Sequence, residues 1–95
     1  MQAKRKEMNL DFFLDAVLNL KTREECRAFF DDVCTVQELK AISQRLDIAA
    51  MLHENKIYSD IVAKTGASTA TISRVNRSLS YGSGGYKVIF DRLGK

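Results

Sequence analysis

The sequence has no proline, no tryptophan, one histidine and two cysteines among its 95 residues. Each scarcity excludes something. The lack of proline, with 45% hydrophobic and 28% charged residues, describes one soluble globular domain, 1–95, rather than two domains or a disordered chain. His53, Cys26 and Cys34 are never at the two-to-four-residue spacing that structural zinc uses, so no metal is expected. The two cysteines read as reduced cytosolic thiols. Cys26 shares a helical stripe with Phe29, Phe30 and Val33 and reads as a small buried hydrophobe. No long apolar run is present either. The basic opening, residues 1–7, has the charge of an export signal, but Asp11 and Asp15 interrupt the apolar stretch that follows. No membrane span is expected, and the expected location is the bacterial cytoplasm.

Acidic residues are scarce in one region. Residues 1–55 carry eight Lys/Arg against ten Asp/Glu, whereas residues 56–95 carry seven against two. Between Ile61 and Phe90 the basic residues Lys64, Arg74, Arg77 and Lys87 meet no acid at all. That imbalance would concentrate positive potential on one surface and mark it as the face for a polyanion.

Hydrophobic periodicity predicts an all-α chain of about six helices. Residues 9–20 place Leu10, Phe13, Leu14, Val17 and Leu18 at helical spacing, with Phe12 and Leu20 outside the stripe. A chain this short buries only about 60 to 65% of its unfolded surface. A helix apolar on several sides therefore predicts burial by a second subunit. Thr22 with Glu25, and Thr35 with Glu38, are capping-box pairs. The first opens a helix with Cys26, Phe29, Phe30 and Val33 inward. The second opens a longer helix through Leu39, Ile42, Leu46, Ala49, Ala50 and Leu52, ending near residues 53–56. Residues 58–65 follow with Ile61 and Val62 inward, then Gly66 in a left-handed turn and Ser68 as the next N-cap. The helix from Thr69 to about Leu79 buries Ile72, Val75 and Leu79. Residues 81–85 form a break before a last segment, 86–93, with Val88, Ile89 and Leu93 apolar.

The pair of short helices around Gly66 carries the function. Residues 58–77 fit a twenty-residue helix-turn-helix, with apolar anchors at Ile61, Ala67, Ile72 and Val75. Val62, where a small alanine is usual, and Thr65, where leucine is common, depart from the pattern. Small residues at the start of the second helix, Thr69, Ala70 and Ser73, allow close approach and can read base edges. Tyr58, Lys64, Arg74 and Arg77 are the expected phosphate contacts.

Other signals are weaker. The glycine-rich run 81–87 lacks the Gly-Lys-Ser/Thr ending of a phosphate loop and follows no strand. His53 has no nucleophile at a recognisable spacing and reads as a solvated helix end. Glu24-Glu25 and Asp31-Asp32 read as helix-start and surface charges. No enzyme is expected.

The segment Gly66-Ala-Ser-Thr-Ala-Thr-Ile-Ser-Arg74, continuing through Ser78-Leu79, resembles the DNA-reading segment of the Trp repressor superfamily, and the whole chain resembles its YerC/YecD branch. The likeness is strongest over residues 35–80. It implies an intertwined homodimer whose N-terminal helices interlock and whose two reading helices project toward successive major grooves of double-stranded DNA. On that reading residues 1–55 supply the dimerisation helices, 58–77 the helix-turn-helix, and 82–95 a final turn and helix. The resemblance also implies that Arg45 and Arg74 match the two arginines that sandwich a tryptophan corepressor, with Thr71 and Ser78 at neighbouring pocket positions. Stacked guanidinium planes suit an indole and a carboxylate. The glycine that follows the second arginine in the repressor is Val75 here, whose side chain takes some of that space. An unligated or differently liganded repressor is therefore expected, with no obligatory cofactor and tryptophan or another amino acid as the alternative effector. A third reading is a helical protein-interaction module that does not bind DNA.

Overall fold

The computed structural model describes residues 8–95; the basic opening segment weighed above as an export signal lies outside the described residues. Six helices and no strand occur among them: α1 (Asp11–Leu18), α2 (Arg23–Val33), α3 (Val36–His53), α4 (Tyr58–Thr65), α5 (Thr69–Tyr81) and α6 (Gly85–Leu93). The all-α expectation is met. The chain forms two compact units, Met1–Val36 and Gln37–Lys95.

In the first unit, side-chain hydrogen bonds set the helix limits. The Asn9 Oδ1 accepts from the Asp11 amide at 3.1 Å, and the Asn19 Nδ2 donates back to the Asp15 carbonyl at 2.7 Å. These asparagines bond locally instead of continuing the helix, so α1 is shorter than the apolar pattern 9–20 predicts. At the start of α2 the Thr22 hydroxyl accepts from the Glu25 amide at 3.1 Å, as its capping box requires. In return the Glu25 carboxylate accepts from the Lys21 amide at 2.9 Å, one residue before the cap. Phe13, Phe29 and Phe30 group their rings with centroids 5.3 to 6.5 Å apart. Even so, neither α1 nor α2 contains a buried residue. Cys26 and Cys34 are half-buried free thiols.

The core lies in the second unit. Ile48 and Ala49 of α3, Ile61 of α4, Ala67 of the turn, Ile72 and Val75 of α5 and Phe90 of α6 are buried together, with Met51, Leu52, Tyr58, Leu79 and Tyr86 packed around them. Helix α3 ends in a Schellman turn. Asn55 adopts φ 64°, its amide bonds the Leu52 carbonyl at 2.9 Å, and the Lys56 amide bonds the Met51 carbonyl at 3.0 Å.

Several inward assignments need correction. Val62 is 37% exposed, because only Ile61 of that pair points at α5 and α3. On α3, Ile42 and Leu46 stay exposed while Ile48 carries the burial. On α6, Val88, Ile89 and Leu93 are exposed; Phe90 is buried, one turn from half-buried Tyr86. The partner across α6 decides that phase. The Phe90 ring lies 5.0 Å from the His53 ring and 6.2 Å from Tyr86. His53 is therefore more than a solvated helix end, since its Nε2 also lies 3.2 Å from the Lys95 carbonyl oxygen.

Candidate nucleic-acid interface

Helices α4 and α5 are joined by only Gly66, Ala67 and Ser68, and hydrogen bonds on both sides fix that turn. Gly66 takes the left-handed conformation at φ 73° and its amide bonds the Val62 carbonyl at 2.8 Å, which ends α4. Thr65 explains its departure from leucine. Its hydroxyl donates to the Ile61 carbonyl at 2.7 Å and accepts from the Ala67 amide at 3.2 Å, so it fastens both sides of the turn. The Ser68 hydroxyl accepts from the Thr71 amide at 3.2 Å and starts α5. Finally, the Gln44 Nε2 of α3 donates to the Thr65 carbonyl at 3.1 Å, satisfying an acceptor at the end of α4.

Gln44 is not among the residues that the sequence pattern singles out. A side-chain bond spanning 21 positions leaves no periodic signal in the sequence. Its effect is to tie the end of α4, where the turn begins, to the long helix.

All four expected anchors, Ile61, Ala67, Ile72 and Val75, are buried, and they leave one continuous face of α5 outside. On that face lie Thr69, Ala70, Ser73, Arg74 and Arg77, all exposed. Lys64 is exposed on the last turn of α4, while Tyr58, at the start of α4, is half-buried against the core, so that most of its ring is engaged in packing. Lys87 forms an ion pair with Asp91 at 3.8 Å, just beyond the acid-free run. Among the described residues Lys64, Arg74 and Arg77 form no ion pair, so their charge is undiminished at this surface.

The residues expected around an effector lie on two helices, α3 and α5. Thr71, Arg74 and Ser78 follow one another at i, i+3 and i+7 along one side of α5, whereas Arg45 lies on α3 immediately after Gln44. Arg45, Arg74 and Ser78 are exposed, and Thr71 is half-buried, its hydroxyl accepting from the Ser68 hydroxyl at 3.1 Å. Val75 is 2% exposed and belongs to the core. Among the described residues no three His, Cys, Asp or Glu side chains gather as a metal site, and no helix is long and apolar enough to cross a membrane.

Comparison with known proteins agrees with this geometry. The family model of the Trp repressor protein matches residues 8–94. The chain is 48% identical over 90 residues to the uncharacterised protein YerC of Bacillus subtilis (strain 168), covering 95% of this chain and 86% of that protein. A crystal structure of a candidate Trp repressor from Staphylococcus aureus superposes with a TM-score of 0.90 at 48% identity, covering 99% of this chain and 95% of that one. A TrpR-like protein from Eubacterium eligens ATCC 27750 gives a TM-score of 0.87 at 54% identity, over 90% of this chain and 88% of that one. The six-helix chain, with its short pair of helices around Gly66, belongs to the Trp repressor family, a family of regulatory DNA-binding proteins.

Proposed function

We propose that this chain is a sequence-specific transcriptional regulator of the bacterial cytoplasm, a repressor that binds near-palindromic DNA as a homodimer and excludes polymerase from a promoter. The observation that carries the reading is the outer face of α5, where small side chains open the helix and unpaired cations continue it in a segment without acids. Thr69, Ala70 and Ser73 read base edges in the major groove. Lys64, Arg74 and Arg77 grip phosphates, and Tyr58 adds its hydroxyl.

Homodimerisation is supported by the first helices. Phe12 is 89% exposed and Leu18 81%, and Leu10, Phe13, Leu14, Val33, Val36, Ile42 and Leu46 are also open to solvent in the single chain. So much uncovered apolar surface fits a second copy of the same segment. On this reading residues 1–55 build the dimer, 58–77 read DNA, and 82–95 complete the reading unit. The burial of Val75 favours a regulator that binds DNA without tryptophan, because filling that position removes space beside Arg74.

Selection from a random duplex library tests the proposal, followed by salt titration of the best site and sedimentation of the same sample. The expected result is a palindrome with half-sites about one helical turn apart, bound by a dimer with a steep salt dependence. Arg77→Ala should weaken all sequences equally and flatten the salt slope by about one unit for each phosphate no longer neutralised, whereas Ser73→Ala should change the preference among sites. No enrichment over random DNA, with and without tryptophan, would remove the reading in favour of a protein-interaction module.

A further inference from the structure

Tyr81 is the last residue of α5 and is 83% exposed, whereas the other two tyrosines, Tyr58 and Tyr86, pack against the core. Its ring stacks on no other ring and its hydroxyl makes no hydrogen bond among the described residues. The position is not arbitrary. At about 100° per residue, Tyr81 falls between Arg74 and Arg77 around the helix axis, on the meridian of Ala70. The buried Ile72 and Val75 and the half-buried Leu79 occupy the opposite side. The exposed face that carries Arg74 and Arg77 therefore continues to the end of α5, where it meets an aromatic hydroxyl.

The chain also leaves α5 at a fixed point just past this ring. A Cβ on Gly82 would collide with the Ser78 carbonyl oxygen, and the Gly82 amide bonds that same oxygen at 2.9 Å. Only glycine lets the backbone turn away so tightly. Tyr81 is thereby held at the rim of the reading face instead of being carried into the following turn.

We infer that Tyr81 is a DNA-backbone contact, its hydroxyl donating to a phosphate oxygen and its ring packing on the adjoining sugar, and that it sets the depth and tilt of α5 in the groove. The inference rests on the DNA-binding reading above. Twelve residues separate Thr69 from Tyr81, about 18 Å along the helix, which exceeds the roughly 12 Å width of the major groove. With the first turn of α5 at the base edges, its last turn stands over the flanking sugar-phosphate strand. Charge supports this occupant, since no acidic residue lies between Ile61 and Phe90 to repel phosphate. Tyrosine can make such a contact without carrying charge, so it positions the protein and reads no sequence.

The test uses the full chain and the best duplex site, comparing wild type, Tyr81→Phe, Tyr81→Ala and Arg77→Ala across a range of salt concentrations. Tyr81→Phe should weaken binding about tenfold per half-site, the loss of one hydrogen bond to a charged acceptor, on every sequence alike. Its salt slope should match wild type, because a neutral hydroxyl releases no counterion, while Arg77→Ala lowers the slope. Tyr81→Ala should weaken binding further through removal of the ring from the sugar. Wild-type affinity for Tyr81→Phe beside a weakened Arg77→Ala would overturn the Tyr81 assignment and leave the DNA-binding reading standing. A changed sequence preference would make Tyr81 a base reader, and dimer dissociation in sedimentation would make it a subunit contact; either result overturns the assignment. If wild type binds no duplex, the functional reading and the assignment fall together.

Discussion

Two glycines bracket α5, and the structure gives them different reasons for being glycine. Gly66 has φ 73°, yet a Cβ built there has nothing within 4 Å, so the cost of alanine is purely conformational. An L-residue in that left-handed region costs about 1 to 2 kcal/mol, and alanine recovers about 0.4 to 1 by restricting the unfolded chain. The net loss for Gly66→Ala is about 1 kcal/mol, or a fall in Tm of about 4 to 8 °C for a domain of this size. Gly66→Asn should lose much less, because asparagine enters this region more readily. Gly82 is the reverse case. Its φ of −84° suits any residue, but a Cβ would press on the Ser78 backbone, with the carbonyl carbon 3.2 Å away and the oxygen closer still. Backbone cannot rotate out of the way as a side chain does, so Gly82→Ala should cost about 1 to 3 kcal/mol. Gly82→Asn should cost at least as much. Thermal unfolding followed by far-UV circular dichroism, at one fixed protein concentration, measures all four variants. Asparagine rescuing position 66 but not 82 is the expected pattern; equal losses for alanine and asparagine at Gly66 would refute the conformational argument.

Substitutions at three further positions address the elements that hold α5. Phe90→Ala removes the largest fully buried side chain, with its packing on His53 and Tyr86, and should cost about 3 to 5 kcal/mol in urea denaturation. Gln44→Ala should cost about 1 kcal/mol by leaving the Thr65 carbonyl without its donor. Gln44→Glu should be worse at neutral pH, since it sets a carboxylate against that carbonyl; equal stability of the two would deny the bond its role. Val75→Gly should cost about 2 to 4 kcal/mol, from lost burial and a glycine inside α5. Calorimetry on that folded variant should gain a tryptophan signal that wild type lacks, and tryptophan binding by wild type would refute the claim that Val75 denies the ligand space.

The helix-turn-helix is legible in the sequence because its signals are local. Gly66, Ser68 and the anchors Ile61, Ala67, Ile72 and Val75 act within a few residues of one another, and the observed limits of α4 follow the expected 58–65. The same holds for Thr22 and Glu25 at the start of α2. Periodicity fails where another element chooses among adjacent apolar residues. Val88, Ile89 and Phe90 are consecutive, so periodicity cannot rank them; the His53 ring at the end of α3 selects Phe90. Ile48 escapes the pattern for a related reason. The stripe through Ile42 and Leu46 is the more regular one, but the core of the second unit lies only against the later turns of α3. Thr65 reads as a flaw in the motif because leucine would fill space there, whereas a hydroxyl fastens the turn by two hydrogen bonds.

These interactions bear on how such a regulator would be controlled. A ligand can shift a reading helix only by binding two orientations of it with different affinity. Here the turn before α5 is held by Gly66, Thr65, Ser68 and Gln44, the inner face of α5 by Ile72 and Val75, and its exit by the close approach of Gly82 to Ser78. Retilting α5 would break part-buried hydrogen bonds and open the core at Val75, at a cost of several kcal/mol. Moving a two-state equilibrium from one hundredth to nearly complete occupancy already requires about 5.5 kcal/mol of differential affinity. On the proposed reading, a small amino acid at Arg45 and Arg74 finds no vacant position at residue 75 to enter. On the proposed reading, the second unit presents α5 in one orientation. Occupancy of DNA then follows the concentration of dimer and the salt-sensitive phosphate contacts, with the reading face formed before any ligand arrives.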